Sequence, residues 1–455
     1  MSGKENEPGP GPVIGELASY IAAAGDRALP AEVAAKTGLH LLDTLAAIVS
    51  GSALRPGELA TEYVRGLGGT QESVVIGSDI VTTAGNAALA NAMAAHADET
   101  DDSHLSSRSH LGCAVVPAAL AMAERQGRGG EALLNAVALG YDIGARATLS
   151  LGADQLYEAG HSTHSFAPLF GAAAAAGTLA RLSADRVRWM LSYTAQQASG
   201  VNCWARDEGH VEKAFDFAGM PARNGVAAAT MVAAGFTGVD DVFTGPRNFF
   251  FAFSPEPEPE LLIDGLGSRF EIMNTNIKKW SVGSPVQAAL DSVQALIGEH
   301  GLKPADIQRI RVLMSEKESH VIDNRSMPDI NLQHLLSLLV LDGGLTFLSS
   351  HDYDRMRDTE VLAFRQRIEL VPDADLPRRQ PVVEIETMGG QSFSHRTLAV
   401  RGTPENPMPR HEVEAKADDL MAPVLGAARS RELIARIRDI GALGDARELR
   451  PLLTA

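Results

Sequence analysis

Cysteine is nearly absent: Cys113 and Cys203 are the two in 455 residues. Two thiols are too few for a [4Fe–4S] cluster held by one chain. They also cannot build a disulfide scaffold, so the cytoplasm is the expected compartment. Positive charge is in deficit, with 40 Lys+Arg against 57 Asp+Glu and a formal net charge of -17. That balance excludes a general nucleic-acid or anionic-membrane binder, which needs a basic surface. It leaves room for a local cationic pocket. No long apolar run lacks polar interruption, and the richest stretch, residues 170–182, is mostly alanine and too short to span a bilayer. The N-terminal MSGKENEPGPGP has no apolar core of a signal peptide, so residues 1–12 read as a disordered tail. A soluble protein with neither nucleic-acid nor membrane partner is expected.

Helical periodicity dominates what is present. Residues 13 to about 150 read as helix after helix, among them 31–49, 86–98 and 114–124, with Pro117 near the start of its helix, where a missing N–H costs little. Residues 163–235 continue helical. The run Gly171-Ala-Ala-Ala-Ala-Ala-Gly177 has no preceding strand and lacks the spacing of a dinucleotide loop, so it reads as a packed alanine helix. A Gly/Pro/Phe-rich connector with PEPEPE at 255–260 follows. The texture then changes. Segments 307–315, 367–371, 382–388 and 392–400 are strand-like, the last two flanking Gly389-Gly390 as a hairpin. Helices near 285–298 and 331–342 lie between them, and helix returns from His411 to about Leu453. The fold class expected is mostly α with an α+β second domain. Its boundaries are a helical domain at 13–270, an inserted α+β domain at 271–401, and a helical return at 402–455.

Six collinear segments carry a resemblance. They are HLLDTLAAIVSGS (40–52), NAMAAHADETDDSH (91–104), HLGCAVVPAALAMAE (110–124), FGAAAAAGTLARL (170–182), KAFDFAGMPARNGVAAATMVAAGFTG (213–238) and IKKWSVGSPVQAALD (277–291). Together they resemble the MmgE/PrpD family, which includes 2-methylcitrate dehydratase, cis-aconitate decarboxylase and iminodisuccinate epimerase. The resemblance implies a helical domain made from both chain ends, an α+β lid, a homodimer, and no metal or organic cofactor.

Such reactions move a proton at a carbon next to a carboxylate, or expel CO₂ from it. Negative charge develops on the substrate, so cations and a placed acid/base are needed. Five clusters offer them. In HADETDDSH, a helix over 91–103 puts His96, Glu99 and Ser103 on one face; the resemblance places Glu99 and Ser103 on functional positions and His110 on a catalytic-site histidine. The carboxylates here have no metal-ligand spacing signature, so no metal is expected. In GHSTHS (160–165), the family histidine position falls on Ser162, too short to be the same base, and His164 is the preferred substitute. In WARDEGHVEKAFDF (204–217), Arg206, His210 and Lys213 share a face if one helix spans them; Lys213 matches the family's functional lysine. Glu208, Glu212 and Asp216 read there as surface ion-pair partners. In IKKWSVGS, Lys278 is a carboxylate clamp, while Gly283 stands where the decarboxylase branch has histidine. In INLQHLLSLLVLDGG (330–344), His334 falls where some relatives place a functional tyrosine, against the alternative of a core hydrogen bond. Arg108 is a further carboxylate-holding candidate. Cys113 and Cys203 read as packing residues.

Three readings follow. The leading one is a cofactor-independent, dehydratase-like lyase on a small di- or tricarboxylate. In it His110, His164, Lys213, Glu99 and Ser103 are catalytic, and Lys278, Arg108, Arg206, His210 and His334 bind substrate. The second keeps the site and changes the reaction to isomerisation, epimerisation or decarboxylation. The third is a non-catalytic, metabolite-binding homologue.

Overall fold

The computed structural model describes residues 10–454, so most of the expected tail, residues 1–9, lies outside the described residues. The tail reading stops short at its other end: the Gly11 N–H donates to Asp241 (2.9 Å) and helix α1 begins at Pro12. Two compact units emerge: one made of residues 10–97, 101–275 and 420–454, the other of Asp98–Thr100 and Asn276–Asp419.

The first unit is helical. Its elements are α1 (Pro12–Ala23), α2 (Ala31–Gly51), α3 (Arg55–Leu67), α4 (Ala84–Ala95), α5 (Gly112–Gln126), α6 (Gly130–Ser150), α7 (Ala153–Glu158), α8 (Thr163–Leu179), α9 (Ala184–Gln196), α10 (Val211–Ala214), α11 (Met220–Ala233) and α12 (Phe249–Phe253). A two-residue antiparallel pair, β1 (Ser73–Val74) and β2 (Val81–Thr82), interrupts the early helices. Small residues set the packing. A Cβ at Gly140 of α6 would lie 2.9 Å from the Gly171 carbonyl oxygen of α8, and one at Gly171 would lie 2.5 Å from that of Gly140. The two backbones therefore touch, which explains why the alanine run is a buried helix. Helix α2 is long and apolar enough to cross a membrane, yet 72% of that stretch is buried within the protein, as in a core helix.

Several helical expectations need correction. Pro117 lies in the second turn of α5, inside the helix, where proline has no N–H to add to the helical ladder. The 163–235 stretch breaks between α9 and α11. The C-terminal return is α18 (Arg410–Leu425), α19 (Ala427–Arg438) and α20 (Arg450–Leu453), separated by left-handed Gly426 (φ 80°) and two 3₁₀ turns.

The second unit is α+β. Strands β3 (Ile307–Ser315), β4 (Ile368–Asp373), β5 (Val382–Thr387) and β6 (Ser392–Arg396) form one sheet in the order β4-β3-β5-β6. β3 pairs β4 in parallel, and the other pairings are antiparallel. Gly390 (φ 79°) turns the β5–β6 hairpin. Alternate residues Ile310, Val312 and Met314 are fully buried. They join a core with Leu290 and Val293 of α13 (Gln287–His300) and Leu335, Leu336 and Leu339 of α15 (Leu332–Asp342). Helices α14 (Glu316–Ile322), α16 (Phe347–Ser350) and α17 (Thr359–Arg365) complete the unit.

Candidate active site

The segment after α4 departs from its expected helix. α4 stops at Ala95, and residues 96–102 run as turns and bends, so His96, Glu99 and Ser103 share no helix face. The cause is local: Asp98 accepts from the Thr100 N–H (3.1 Å) and hydroxyl (2.5 Å), a turn that competes with helical bonding.

Two adjacent aspartates then enter two buried networks of the first unit. Asp102 accepts from His40 Nδ1 (2.7 Å), the Tyr141 hydroxyl (2.5 Å) and the Gly112 N–H (3.1 Å). This fixes the start of α5, and only glycine fits there, because a Cβ at position 112 would lie 2.4 Å from the Tyr141 hydroxyl. Asp101 turns to the histidines: its Oδ1 lies 3.0 Å from His96 Nδ1 and 3.2 Å from His110 Nδ1. Burial alone would raise the Asp101 carboxyl, but His96 and His110 outweigh it and hold it well below the usual carboxylate range. Burial pushes His96 down despite Asp101, so we assign it neutral, donating from Nδ1 to an ionised Asp101.

Phe217 gathers the remaining groups. His164, in the first turn of α8, stacks on its ring at 3.9 Å with an interplanar angle of 5°. His96 stacks on it at 4.5 Å. The His110 and His164 rings are 5.4 Å apart, and those of His96 and His210 are 5.2 Å apart. Lys213 Nζ lies 5.2 Å from the Phe217 centroid and 5.5 Å from that of Trp204. The Trp204 indole N–H is buried without a hydrogen-bond partner among the described residues, a donor available to a ligand.

The backbone explains this convergence. No single helix spans 206–213. A 3₁₀ turn (Asn202–Arg206), a left-handed His210 (φ 56°) and short α10 replace it, leaving Arg206 exposed and His210 buried. A π-helical turn, Phe215–Gly219, follows α10. Pro221 has no N–H to return to the Phe217 carbonyl, which favours the wider turn, and π turns recur at functional sites. Asp216 on that turn is not a surface ion-pair partner: it is buried and accepts from the Ser162 hydroxyl. Sequence reasoning missed Phe217, Trp204 and Asp216 as site residues; the Pro221 break is the one signal that marks this turn.

Other candidates lie differently. Ser103 is half-buried. Arg108 is engaged with Asp154 and lies over the Tyr157 ring at 4.7 Å. Three candidates belong to the second unit. Lys278 is buried and donates to the Glu99 carbonyl oxygen (2.6 Å). His334 is fully buried, and neither ring nitrogen has a hydrogen-bond partner among the described residues, so the expected core hydrogen bond is not found. Burial, with Arg365 and Arg355, pushes His334 down to about 4, hence neutral. At Gly283 a Cβ would lie 2.0 Å from Ile330 Cδ1, so that side chain fills the space a residue at 283 would need.

The second unit holds its own ionisable cluster. His351 Nε2 lies 2.7 Å from Asp98 and 3.9 Å from Asp329, and its Nδ1 donates to the Phe347 carbonyl (2.8 Å). Burial would lower His351, but Asp98 overrides it and raises it to about 9. Burial raises Asp329 to about 6.

As for a metal, His96, Asp101 and Cys113 are buried and place one ligand atom each within 4.8 Å of one another. Asp101 Oδ1 is already shared by two histidines and the Cys113 thiol donates to the His110 carbonyl (3.2 Å), while His96 Nε2 has no hydrogen-bond partner among the described residues. Two open depressions, of about 460 and 580 Å³, have other linings: one by Lys279, Asp291, His395 and Arg401 of the second unit, the other by Glu58, Arg65 and Asp79 of the first.

Three imidazoles and one ammonium lie around the Phe217 ring, and Asp101 binds two of those imidazoles; such groups can move protons and bind an anion. The chain matches the MmgE/PrpD N-terminal domain over residues 15–262 and the MmgE/PrpD C-terminal domain over residues 280–440. It belongs to the MmgE/PrpD family. It is 27% identical to "Cis-aconitate decarboxylase-like protein oryM" of Aspergillus oryzae over 329 residues, 67% of each chain.

Proposed function

We propose that this chain is a lyase that eliminates water from a small di- or tricarboxylate, working by side-chain acid/base chemistry without a metal or organic cofactor. The observation that carries the reading is the pairing of His110 and His164, ring centroids 5.4 Å apart, with Lys213 over the same Phe217. One imidazole takes the proton from the carbon next to a carboxylate. The other protonates the departing hydroxyl, water leaves, and a carbon–carbon double bond forms. The Lys213 ammonium offsets the negative charge that builds on the substrate carboxylate as the proton leaves. Asp101 Oδ1, 3.2 Å from His110 Nδ1, keeps that ring oriented.

A second reading, decarboxylation, is favoured by the name of the oryM relative. Against it stands Gly283, where the decarboxylase branch carries histidine and Ile330 takes up the space.

The test is incubation with 2-methylcitrate, citrate and cis-aconitate, followed by ultraviolet absorption and NMR in deuterated water. Alkene formation with water release is expected from 2-methylcitrate or citrate, and the reverse addition of water to cis-aconitate. Carbon dioxide release replaces dehydration by decarboxylation, and deuterium exchange without alkene or carbon dioxide replaces it by isomerisation or epimerisation at the same site. No turnover and no exchange on any of the three defeats both.

A further inference from the structure

Ser162 stands at the N-cap of α8, where serine ordinarily accepts from the first-turn N–H groups and steadies its own helix. Here it makes no such bond. Its hydroxyl donates instead to Asp216 Oδ2, on the π turn 54 residues away. Ser162 is fully buried and Asp216 nearly so. The surrounding loop is built around this pair. The Ser162 N–H donates to the Gly200 carbonyl (3.1 Å), and Ser165 of α8 donates to the Ser162 carbonyl (2.9 Å). Gly200 takes φ 133°, and a Cβ there would lie 2.9 Å from Asp216 Oδ1 and 1.9 Å from Ser165 Oγ. Only glycine lets this loop close over the carboxylate. The pair thus joins the start of α8, two residues before His164, to the turn whose next residue, Phe217, stacks on His164 at 3.9 Å. The Ser162–Asp216 hydrogen bond joins both ends of this covalent and stacked circuit directly.

We infer that Asp216 is a positioning residue: through Ser162 it fixes the His164 ring in the site, and its ionisation sets the pH dependence of that placement. When Asp216 is ionised, the Ser162 hydroxyl donates to it. When Asp216 is protonated, the carboxyl donates to Ser162 or lets it go, and the hold on α8 changes. Burial raises the Asp216 carboxyl to about 7, the Ser162 hydrogen bond opposes this, Glu212 of α10 adds to it, and the Val201 backbone N–H opposes it. Lys213 of α10 and His164 of α8 are the charged and titratable groups on the neighbouring Phe217 ring.

The inference rests on the proposed function for its activity readout alone. The pH–rate profile of the wild type is compared with those of Asp216→Asn and Ser162→Ala. An inflection near pH 7 is expected in the wild type in addition to those of the two catalytic imidazoles. It disappears in Asp216→Asn and moves to higher pH in Ser162→Ala, because the hydroxyl that lowers the carboxyl is gone. In both variants kcat falls by about 10²-fold with a much smaller change in KM, as for a misplaced catalytic group. A variant that loses activity only in step with its Tm, keeping the inflection, overturns the inference. An activity-independent measurement separates the two ideas: the ring NMR signals of His164 followed against pH. A step near pH 7 in the wild type, absent in Asp216→Asn, upholds the inference even if no polycarboxylate turns over. Identical His164 titrations in both proteins defeat it even if dehydration is observed.

Discussion

The two units each bury a cluster of histidine and aspartate, and the two clusters behave oppositely. In the first unit, His96 and His110 share one carboxylate, Asp101. In the second, Asp98 and Asp329 flank one imidazole, His351. Where imidazoles outnumber carboxylates, the aspartate is held far down and His96 is driven neutral by burial. Where carboxylates outnumber the imidazole, the histidine rises to about 9 and the surplus aspartate, Asp329, rises to about 6. The first cluster has more imidazole than carboxylate and keeps its aspartate ionised; the second has more carboxylate than imidazole and keeps its histidine protonated. Carboxylate in excess makes a locked ion pair, suited to holding the Asp98–Thr100 segment, which Lys278 and Lys416 also grip through the Glu99 and Thr100 carbonyls (2.6 and 3.1 Å).

The strongest break of this contrast is catalytic. Replacing His110 by Gln, or Lys213 by Ala, should lower kcat/KM for the polycarboxylate that the wild type turns over by about 10²–10⁴-fold, the range for a lost acid/base group. The Tm should stay within a few degrees. A large fall in Tm without a specific loss of rate would move the imidazole-rich cluster into the same class as the locked one.

Next comes stability in the second unit. His351→Gln removes the cation between two buried carboxylates. The histidine is raised in the folded state, so its contribution is full below about pH 6.5 and is lost as pH rises through about 9. At about 1.4 kcal/mol per tenfold change in proton affinity, the loss is ~3 kcal/mol near pH 6. Denaturant unfolding at pH 6 and pH 9.5 reads it: a clear deficit at the first and little at the second. A deficit that does not change with pH would mean that packing, not charge, is what His351 supplies.

What the sequence carried about these regions differs for a physical reason. The sheet was legible because alternation is a local signal: Ile310, Val312 and Met314 all face one side, and Gly389-Gly390 marks the hairpin. The helices near 285–298 and 331–342 were legible through their apolar content. The end of α4 was not, because the competing Asp98–Thr100 turn outweighs the helical periodicity that runs into it. His110, His164 and Lys213 stand out by residue type and by the family pattern. Asp216 does not, since an aspartate near Glu212 and Lys213 looks solvated, and its burial comes from Ser162, 54 residues earlier in the chain. The π turn has no periodic signature at all. The locked cluster was invisible for the same reason: Asp98, Asp329 and His351 are far apart in sequence, and nothing local marks any one of them.

The smallest expected effect sharpens the comparison most. Asp329 is the surplus carboxylate, raised from 3.8 to about 6, chiefly by burial. A raised carboxyl favours the folded state while protonated, and that advantage fades as pH climbs from about 4 through about 6. Above pH 6 the ionised Asp329 is a burden, partly offset by its attraction to His351. Asp329→Asn removes both the burden and the attraction. The net expected gain is about 1 kcal/mol at pH 8, with no difference below pH 4, measured by denaturant unfolding at the two pH values. Asp98→Asn serves as the contrast, because its carboxylate is held low chiefly by the His351 hydrogen bond against the opposing effect of burial, and its loss should destabilise at pH 8. If Asp329→Asn destabilises as much as Asp98→Asn does, the two carboxylates share the imidazole equally. The second cluster is then a symmetric triad, and excess of one partner is not what separates the two units.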